Sequence, residues 1–357
     1  MAELAGRSSL SPLSGLTRRA ACALVAAAAA APLGAFAPAF GARVARSGGT
    51  HSTLASALAD APAGERPYRI LIGAGRWEEK LLIRRPNVEL VGEEGAACIL
   101  TSAAWAGEEK PGGGRWGTYG SATLTVEAPG FAARNLTIEN GFDYLAHLRR
   151  GGEGGQAVAL ALGPGADRSR IERCFILGHQ DTLYLRSGRV LVRGCLVAGG
   201  VDFIFGGAAA WIEGCEIRSR FRPGQKLQGY VAAPSTPRSQ PFGLVFSRCR
   251  LTRDPGVPDS SVWLGRPWRA GGNVELLGQA AFLRCWMDSH IRPEGWTSMH
   301  FSGPGGYRMT LMPGDARLFE HGSSGPGAAS APGRRRLGAA AAERFTRDSV
   351  LGGWRPE

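Results

Sequence analysis

Clusters of apolar residues recur along the chain, each interrupted by a charged or small pair and followed by a cysteine and more apolar residues. The five segments with this pattern are 171–176, 192–197, 212–217, 245–251 and 282–287. Segment 131–138 has a related pattern, with Asn135 in the cysteine position. The middle segments lie about twenty residues apart, a period typical of a β-solenoid, in which short strands repeat from coil to coil. The sequence therefore predicts an all-β fold with parallel coils stacked about 4.8 Å apart.

An antiparallel β-sandwich is the alternative fold, since it also contains many short strands. The chain lacks a succession of two-residue hairpin turns, and the repeat favours the solenoid. A helix over 50–61, with Leu54, Ala55 and Leu58 on one face, is expected to cap the N-terminal end. From Gly303 onward the chain is rich in Gly, Pro, Arg and Ala, which predicts loops and a short amphipathic helix over 337–345.

The charge is strongly positive and comes almost entirely from arginine. The chain has 357 residues, a net charge of +12 and lysines only at positions 80, 110 and 226. With 44% apolar residues, it is long enough for a sizeable core in one or two domains. The arginines are scattered and no nucleic-acid motif accompanies them, so an acidic polymer is a better partner than nucleic acid.

The N-terminus has the features of an export signal. Arg18 and Arg19 precede an apolar run at 20–31, and alanines at 35, 37 and 39 provide cleavage sites. The arginine pair is typical of a twin-arginine signal, although the rest of that pattern is poor. We therefore predict a leader over 1–42, a single catalytic domain over 43–357, and a periplasmic or secreted protein. No further stretch has the length of a membrane span.

Seven cysteines are present, and Cys22 lies inside the apolar run of the leader. The other six permit disulfides in an exported protein but do not require them. A column of small apolar side chains in the core explains them equally well. If a bridge forms, Cys195 and Cys215, which flank Asp202, are the expected pair.

Two aspartates lie in aromatic and apolar segments, Asp181 within 178–184 and Asp202 within 201–206. An ionised carboxylate in such surroundings is costly unless it is paired or neutralised. Because they are separated by one repeat, they should lie on adjacent coils, where both cannot ionise cheaply. One carboxylate can then act as nucleophile or base and the other, protonated, as an acid. The structural alternative is an aspartate ladder satisfied by backbone amides.

Four further residues complete a candidate site. Gln156 and Gln180 should stack on the same side of successive coils and could supply amide N–H donors to an oxyanion. Downstream, in the segment 263–268, Arg266 could hold the ionised aspartate. Trp268 provides a flat apolar face on which a sugar ring can stack. Such a site would serve acyl transfer without serine, metal or cofactor; the alternative for 263–268 is a structural turn with arginine on tryptophan.

At these positions the chain resembles the pectin methylesterases. Segments 155–160, 178–184, 201–206 and 264–268 look like that family's signature motifs, in its order and at its spacings. The resemblance covers roughly residues 50–356, and 219–222 and 229–236 resemble the bacterial branch. It implies a right-handed parallel β-helix that removes methyl esters from polygalacturonate with no cofactor and no metal. The implied partner is methyl-esterified pectin, and we expect a monomer.

Carried over position by position, the resemblance implies that Asp202 is the nucleophile and Asp181 the general acid and later base. It makes Gln156 and Gln180 the oxyanion donors, and Arg266 the residue that orients the nucleophile. The positions that match the substrate groove are Trp268, Phe205, Val201, Thr118, Tyr230, Arg222 and Met299.

The chain departs from the family pattern at two places near these motifs. His179 stands where the family varies, and Gly207 replaces a usual polar residue, which is expected to loosen the turn after Asp202. Two other functions are compatible with the fold: an esterase or thioesterase for another acyl group, and a non-catalytic carbohydrate-binding β-helix. A lyase for the same polymer would need clustered acidic residues for calcium, which the motifs lack.

Overall fold

The computed structural model describes residues 40–356, which form 27 strands and five short α-helices. The strands are β1 (Ala42–Val44), β2 (Tyr68–Ile72), β3 (Gly75–Glu78), β4 (Leu81–Ile83), β5 (Val88–Gly92), β6 (Cys98–Ser102), β7 (Leu124–Val126), β8 (Ala132–Arg134), β9 (Thr137–Asn140), β10 (Leu160–Leu162), β11 (Ser169–Glu172), β12 (Phe175–Leu177), β13 (Leu183–Leu185), β14 (Arg189–Arg193), β15 (Leu196–Gly199), β16 (Ile204–Gly206), β17 (Ala209–Glu213), β18 (Glu216–Ser219), β19 (Gly229–Pro234), β20 (Leu244–Ser247), β21 (Arg250–Arg253), β22 (Val262–Gly265), β23 (Gln279–Leu283), β24 (Trp286–Met287), β25 (Met299–Ser302), β26 (Arg308–Leu311) and β27 (Arg317–His321). The helices are α1 (Leu54–Ala59), α2 (Gly117–Gly120), α3 (Tyr144–Arg149), α4 (Ala339–Ala342) and α5 (Arg347–Val350), with 3-10 turns at Ala270–Gly272, Pro304–Gly306 and Pro313–Asp315. Residues 1–39 of the predicted leader, with Cys22, lie outside the described residues, and Ala42, its last predicted position, begins β1.

Three parallel sheets run the length of the described chain. Sheet A has ten strands in the order β1-β2-β5-β8-β11-β14-β17-β20-β23-β27, sheet B has eight (β24-β21-β18-β15-β12-β9-β6-β3) and sheet C has seven (β22-β19-β16-β13-β10-β7-β4). A complete coil passes through sheet C, then A, then B, as β13–β14–β15 and β16–β17–β18 do. This is a parallel β-helix, so the predicted solenoid is confirmed and the sandwich alternative is wrong.

The core consists of apolar columns inside the coils. In sheet A, Ile171, Val192 and Ile212 occupy the same register position on three successive coils and are fully buried. On the next two coils, the same position holds Phe246 and Phe282, whose rings stack with centroids 4.3 Å apart. Each repeat buries the apolar side chains of its neighbours, which is why the recurrence in the sequence is a fold signal.

The corner between sheets A and B explains the repeated cysteine. The residue before each of the five cysteines of the repeat has a left-handed backbone, as Arg173 (φ 49°) and Gly194 (φ 60°) do, and the cysteine is buried in the core. The register pairs Phe175 with Thr137, so Leu136 lies in the cysteine column. The prediction for Asn135 is therefore wrong by one residue. Asn135 (φ 56°) occupies the left-handed position, which asparagine tolerates well.

All six cysteines of the described chain are free and buried, so the bridge considered for Cys195 and Cys215 is not formed. Five of these thiols are directed to a backbone carbonyl of the preceding coil, and the sixth, Cys174, donates to the Glu172 carbonyl of its own coil at 3.3 Å. Cys195 Sγ donates to the Ile171 carbonyl at 3.5 Å and Cys215 Sγ to the Val192 carbonyl at 3.7 Å. The cysteines thus fill a core column.

The N-terminal end is covered by α1, which is shorter than predicted. The Thr53 hydroxyl accepts a hydrogen bond from the Ser56 amide and caps the helix. Leu54 and Ala57 are buried, Leu58 is half-buried, and Ala55 is exposed. The assignment of Ala55 to the buried face was wrong, because a helix that begins at Leu54 repeats its face three and four residues later.

The C-terminal part contains more regular structure than loops and one helix. β25 and β26 form an antiparallel hairpin, and β27 pairs with β23 as the last strand of sheet A. The predicted helix over 337–345 is reduced to α4, and α5 follows it. A strand at this end continues the ladder of β23, so backbone pairing outweighs the glycine-rich composition there. Across the described chain, no helix has the length and apolar character needed to cross a membrane.

Candidate active site

The two aspartates lie at the corner between sheets B and C. Asp181 precedes β13 and Asp202 precedes β16, and both have left-handed backbones, with φ of 62° and 49°. Aspartate is one of the few residues that adopt this conformation readily. Thr182, next to Asp181, is fully buried and donates to the Ala198 carbonyl at 3.2 Å. The corner therefore has a fixed backbone around the carboxylates.

Backbone register brings the predicted site residues onto three adjacent coils. Gln156 pairs with Gln180, and Gln180 pairs with Val201, in parallel bridges. The Asp181 amide donates to the Val201 carbonyl at 3.0 Å, so Asp181 and Asp202 follow equivalent positions on neighbouring coils. The adjacency inferred from the spacing is thus seen in the structure.

Asp202 is bound at both oxygens by Arg266. Arg266 Nε donates to Asp202 Oδ1 at 3.0 Å and Nη2 donates to Oδ2 at 2.7 Å. The guanidinium lies over the Tyr230 ring, with its central carbon 3.8 Å from the ring centroid. Burial alone would lower the pKa of Arg266, but the charge and hydrogen bonds of Asp202 outweigh it, and the pKa is raised. A permanent cation therefore orients Asp202.

Asp181 lies in a different electrostatic environment. Burial, followed by the negative charge of Asp202, raises its pKa well above the usual value, and the cation of Arg266 only partly opposes this shift. Within residues 40–356, no side chain donates a hydrogen bond to the Asp181 carboxyl. One carboxyl group is thus held neutral beside another that is paired with arginine. This is the arrangement that separates an acid from a nucleophile.

An aromatic wall borders the aspartates on sheet C. Phe205 stacks on Tyr184 with centroids 4.2 Å apart, and the Trp268 ring lies 5.7 Å from Phe205. Met299, from β25, packs against the same cluster. Tyr184 lies in the segment 178–184 but is not among the predicted site residues; its position three residues after Asp181 could have indicated it.

The other predicted groove residues lie around this corner. Thr118 is half-buried in α2, and its carbonyl accepts a hydrogen bond from Ser121. Val201 is 8% exposed and Tyr230 lies beneath Arg266. Arg222 donates to the hydroxyl of Tyr144, and its guanidinium carbon lies 5.8 Å from the centre of that ring. These contacts of Arg222 form a second side of the predicted groove.

Tyr144 links His179 to this second side, a role that the glycine-rich segment 141–155 did not indicate. Its ring stacks on His179 with centroids 5.0 Å apart, and its hydroxyl accepts from Arg222 Nε at 3.1 Å. Burial, with the charges of Arg220 and Arg222, lowers the pKa of His179 to about 3. His179 is therefore a neutral ring near neutral pH.

The turn after Asp202 is not loosened by Gly207. The Gly207 amide donates to the Arg186 carbonyl at 3.1 Å, and its carbonyl accepts from Gln240 Nε2 at 2.8 Å. A Cβ at this position would lie 2.8 Å from the Ser235 carbonyl oxygen. The expectation of a loose turn was wrong, because close backbone approach leaves room only for glycine.

A family model described as Pectinesterase matches residues 42–353. The chain belongs to the pectinesterase family. It is similar to pectinesterase A of Dickeya chrysanthemi, with 38% identity over 87% of this chain and 89% of that protein. Pectinesterase A of Dickeya dadantii is 37% identical over the same shares. These two relatives place the chain with the bacterial pectinesterases.

Solved structures of the pectinesterase family share the fold. A pectin methylesterase in complex with a hexasaccharide has a TM-score of 0.86 and 38% identity, over 90% of this chain and 99% of that one. The pectin methylesterase from Yersinia enterocolitica has a TM-score of 0.80 and 36% identity, over 85% and 99% of the two chains. The β-helix is therefore that of the pectin methylesterases.

Proposed function

We propose that this protein hydrolyses the methyl esters of galacturonate units in pectin, with Asp202 as nucleophile and Asp181 as acid and base. The observation that carries the proposal is the pairing of Arg266 with Asp202 next to a neutral Asp181. The activity agrees with the pectinesterase family and with the pectin methylesterase structures that the chain resembles.

In the first half-reaction, an oxygen of Asp202 attacks the ester carbonyl carbon. The tetrahedral oxyanion accepts hydrogen bonds from the side-chain amides of Gln156 and Gln180. The carbonyl re-forms as the bond to the methoxy oxygen breaks, and Asp181 gives its proton to that oxygen. Methanol leaves, and the galacturonyl group stays on Asp202 as a mixed anhydride.

In the second half-reaction, water attacks the galacturonyl carbonyl while Asp181, now a carboxylate, accepts a proton from it. Collapse of the second tetrahedral intermediate breaks the bond to Asp202 and releases the free carboxylic acid of the galacturonyl unit, which then loses its proton to solvent. Asp181 ends protonated and Asp202 ionised, so both residues return to their starting states. Arg266 positions Asp202 throughout and stabilises the charge that returns to it.

The rings beside the aspartates fit a sugar polymer. Trp268 is half-buried and supplies a flat face next to Phe205, and Met299 extends this surface. Thr118, Val201, Tyr230 and Arg222 complete the proposed groove. The relative solved with a hexasaccharide supports a carbohydrate occupant.

The setting of the activity is also a proposal. The leader over 1–42 would export the protein to the periplasm or beyond, where methyl-esterified pectin is accessible, and the domain over 43–357 would act as a monomer. Neither a metal nor a cofactor takes part in the steps above.

Methanol release from highly methylated pectin tests the function. We expect wild-type protein to release methanol, and Asp202→Ala and Asp181→Ala each to lose at least about a hundredfold in rate, as expected for a nucleophile and an acid–base group. Asp348→Ala, at an exposed aspartate paired with Arg355, is the control and should keep wild-type activity.

Two results would contradict the proposal: no methanol from folded wild-type protein, or full activity in Asp202→Ala. Asp202→Asn, which keeps the side-chain volume, separates chemistry from folding. Hydrolysis of an acyl thioester in place of pectin would favour the alternative acyl thioesterase.

A further inference from the structure

A second cavity lies on the outer face of sheet A, away from the corner that holds Asp181 and Asp202. Its volume is about 440 Å³. Its walls come from strands β17, β20, β23 and β27 on one side and from the C-terminal segment of α4 and α5 on the other. This volume is within the range of small-molecule sites, about 300–1,000 Å³. None of the residues proposed for ester hydrolysis lines it.

One wall of this cavity is apolar and aromatic. Trp211 and Leu283 project from sheet A, and Phe345 comes from the segment between α4 and α5. Trp211 is 6% exposed and belongs to a core cluster that includes Val350 and Leu351 of the C-terminal segment. The wall is therefore anchored by packing and gives a fixed flat surface.

The rim of the cavity has an excess of positive charge. Arg248 and Arg347 both approach Glu213, with Arg347 Nη1 3.9 Å from Glu213 Oε2. Arg284 also lines the cavity, and among the described residues no carboxylate pairs with it. Three guanidinium groups thus line a rim that has one carboxylate, and two of them share it. Guanidinium groups bind carboxylates through paired hydrogen bonds, so the rim favours a carboxylate ligand.

The cavity also presents hydrogen-bond acceptors. His321 Nδ1 lies 2.8 Å from the Leu337 carbonyl oxygen, which can only accept, so Nδ1 carries the hydrogen. With the hydrogen on Nδ1, the Nε2 atom of an uncharged ring is an acceptor, and Glu213 supplies carboxylate oxygens. An anion without hydroxyl groups, such as sulfate, brings no donors to these groups. A ligand that satisfies the whole cavity has a carboxylate, several hydroxyl donors and an apolar ring face.

We propose that this cavity binds a uronic acid residue, with its carboxylate on Arg284 and its ring against Trp211. The ligand class follows from the cavity. That this protein itself produces the ligand rests on the proposed function, since demethylation converts a neutral ester into the carboxylate that Arg284 would bind. The cavity is then an accessory site for the de-esterified product, on a different face from the reaction.

Binding of galacturonic acid, with galactose as the uncharged analogue, tests the proposal. We expect calorimetry and thermal unfolding to show binding of the acid and at least tenfold weaker binding of galactose. Arg284→Gln should weaken binding of the acid about tenfold or more, equivalent to about 1.4 kcal/mol. Arg173→Gln is the matched control. Arg173 (φ 49°) and Arg284 (φ 52°) have left-handed backbones at equivalent corners of the β-helix, but Arg173 does not line the cavity.

Trp268→Ala tests whether galacturonic acid binds in this cavity or in the proposed substrate groove. Binding in the cavity should be unchanged in this variant. The proposal is overturned if galacturonic acid does not bind, if galactose binds equally well, or if Arg284→Gln binds like wild type. It is also overturned if Trp268→Ala alone abolishes binding. Methanol release by Arg284→Gln should equal that of wild type. Failure of the proposed function would appear separately, as absent methanol release with cavity binding intact.

Discussion

Arg266 holds both carboxylate oxygens of Asp202, with Nε 3.0 Å from Oδ1 and Nη2 2.7 Å from Oδ2. The Tyr230 ring lies against one face of the guanidinium, whose edge makes these two hydrogen bonds. The contact joins residues 64 positions apart in the chain, from different coils of sheet C. The direction of the Asp202 carboxylate is therefore set by the stacking of the coils.

Arg266→Lys should lower kcat for methanol release about ten- to a hundredfold with little change in KM. Lysine keeps the positive charge but cannot donate to both oxygens at once, so Asp202 loses its orientation rather than its counter-ion. Arg292→Lys is the matched control, since Arg292 also lies over an aromatic ring, that of Trp263 in β22, at 4.5 Å. Equal losses in both variants, or none at Arg266, would contradict the positioning role.

Asp181→Asn should be more stable than wild type at neutral pH, although it is inactive. The folded-state pKa of Asp181 is raised above the ordinary value of 3.8, so the folded protein keeps a proton that the unfolded chain loses. Wild-type stability therefore falls as pH rises from the unfolded-state pKa towards the folded-state pKa. Urea unfolding at several pH values should show the advantage of the variant growing over this window. A pH-independent difference between the two proteins would count against a neutral Asp181.

His179→Phe should reduce the loss of stability in acid. The pKa of His179 is lowered from 6.5 to about 3, so below about pH 6.5 the unfolded chain binds a proton that the folded protein does not. Wild type loses stability as pH falls through this window, and phenylalanine keeps the stack on Tyr144 without titrating. From pH 7 to pH 5 we expect the variant to lose about 2 kcal/mol less than wild type. Parallel profiles in urea unfolding would show that this ring does not stay neutral.

Gly207→Ala should lower the unfolding free energy by about 1–3 kcal/mol, the usual cost of forcing extra atoms into a packed site. The added Cβ would meet the backbone carbonyl oxygens of Ser235 at 2.8 Å and Arg186 at 3.2 Å. Gly314→Ala is the control, since nothing lies within 4 Å of its Cβ position, and it should change stability little. Denaturant unfolding of both variants makes the comparison, and equal stability would mean that the turn after Asp202 can adjust.

The aspartate pair could be predicted from the sequence because the solenoid repeats one local pattern. One period separates Asp181 from Asp202, and the bridge between Gln180 and Val201 places them on adjacent coils. The same reasoning missed the register of Asn135 by one residue. A glycine, arginine or asparagine can occupy the left-handed corner, so the corner does not mark its own position in the sequence.

Tyr144 could not be predicted in the same way. It lies in a glycine-rich segment without periodicity, and it meets Arg222, 78 positions away, and His179 through the fold of α3. The charged cavity around Arg284 could not be predicted either, because its two walls come from separate parts of the chain.

The sequence by itself determined the coil, its period and the two aspartates, because these depend on residues close together in the chain and on a pattern that repeats. Only the tertiary structure decided that Arg266 faces Asp202, that Asp181 is buried enough to stay neutral, and that a cavity forms beneath the C-terminal helices. These properties depend on burial and on distances between remote segments, which no local pattern encodes.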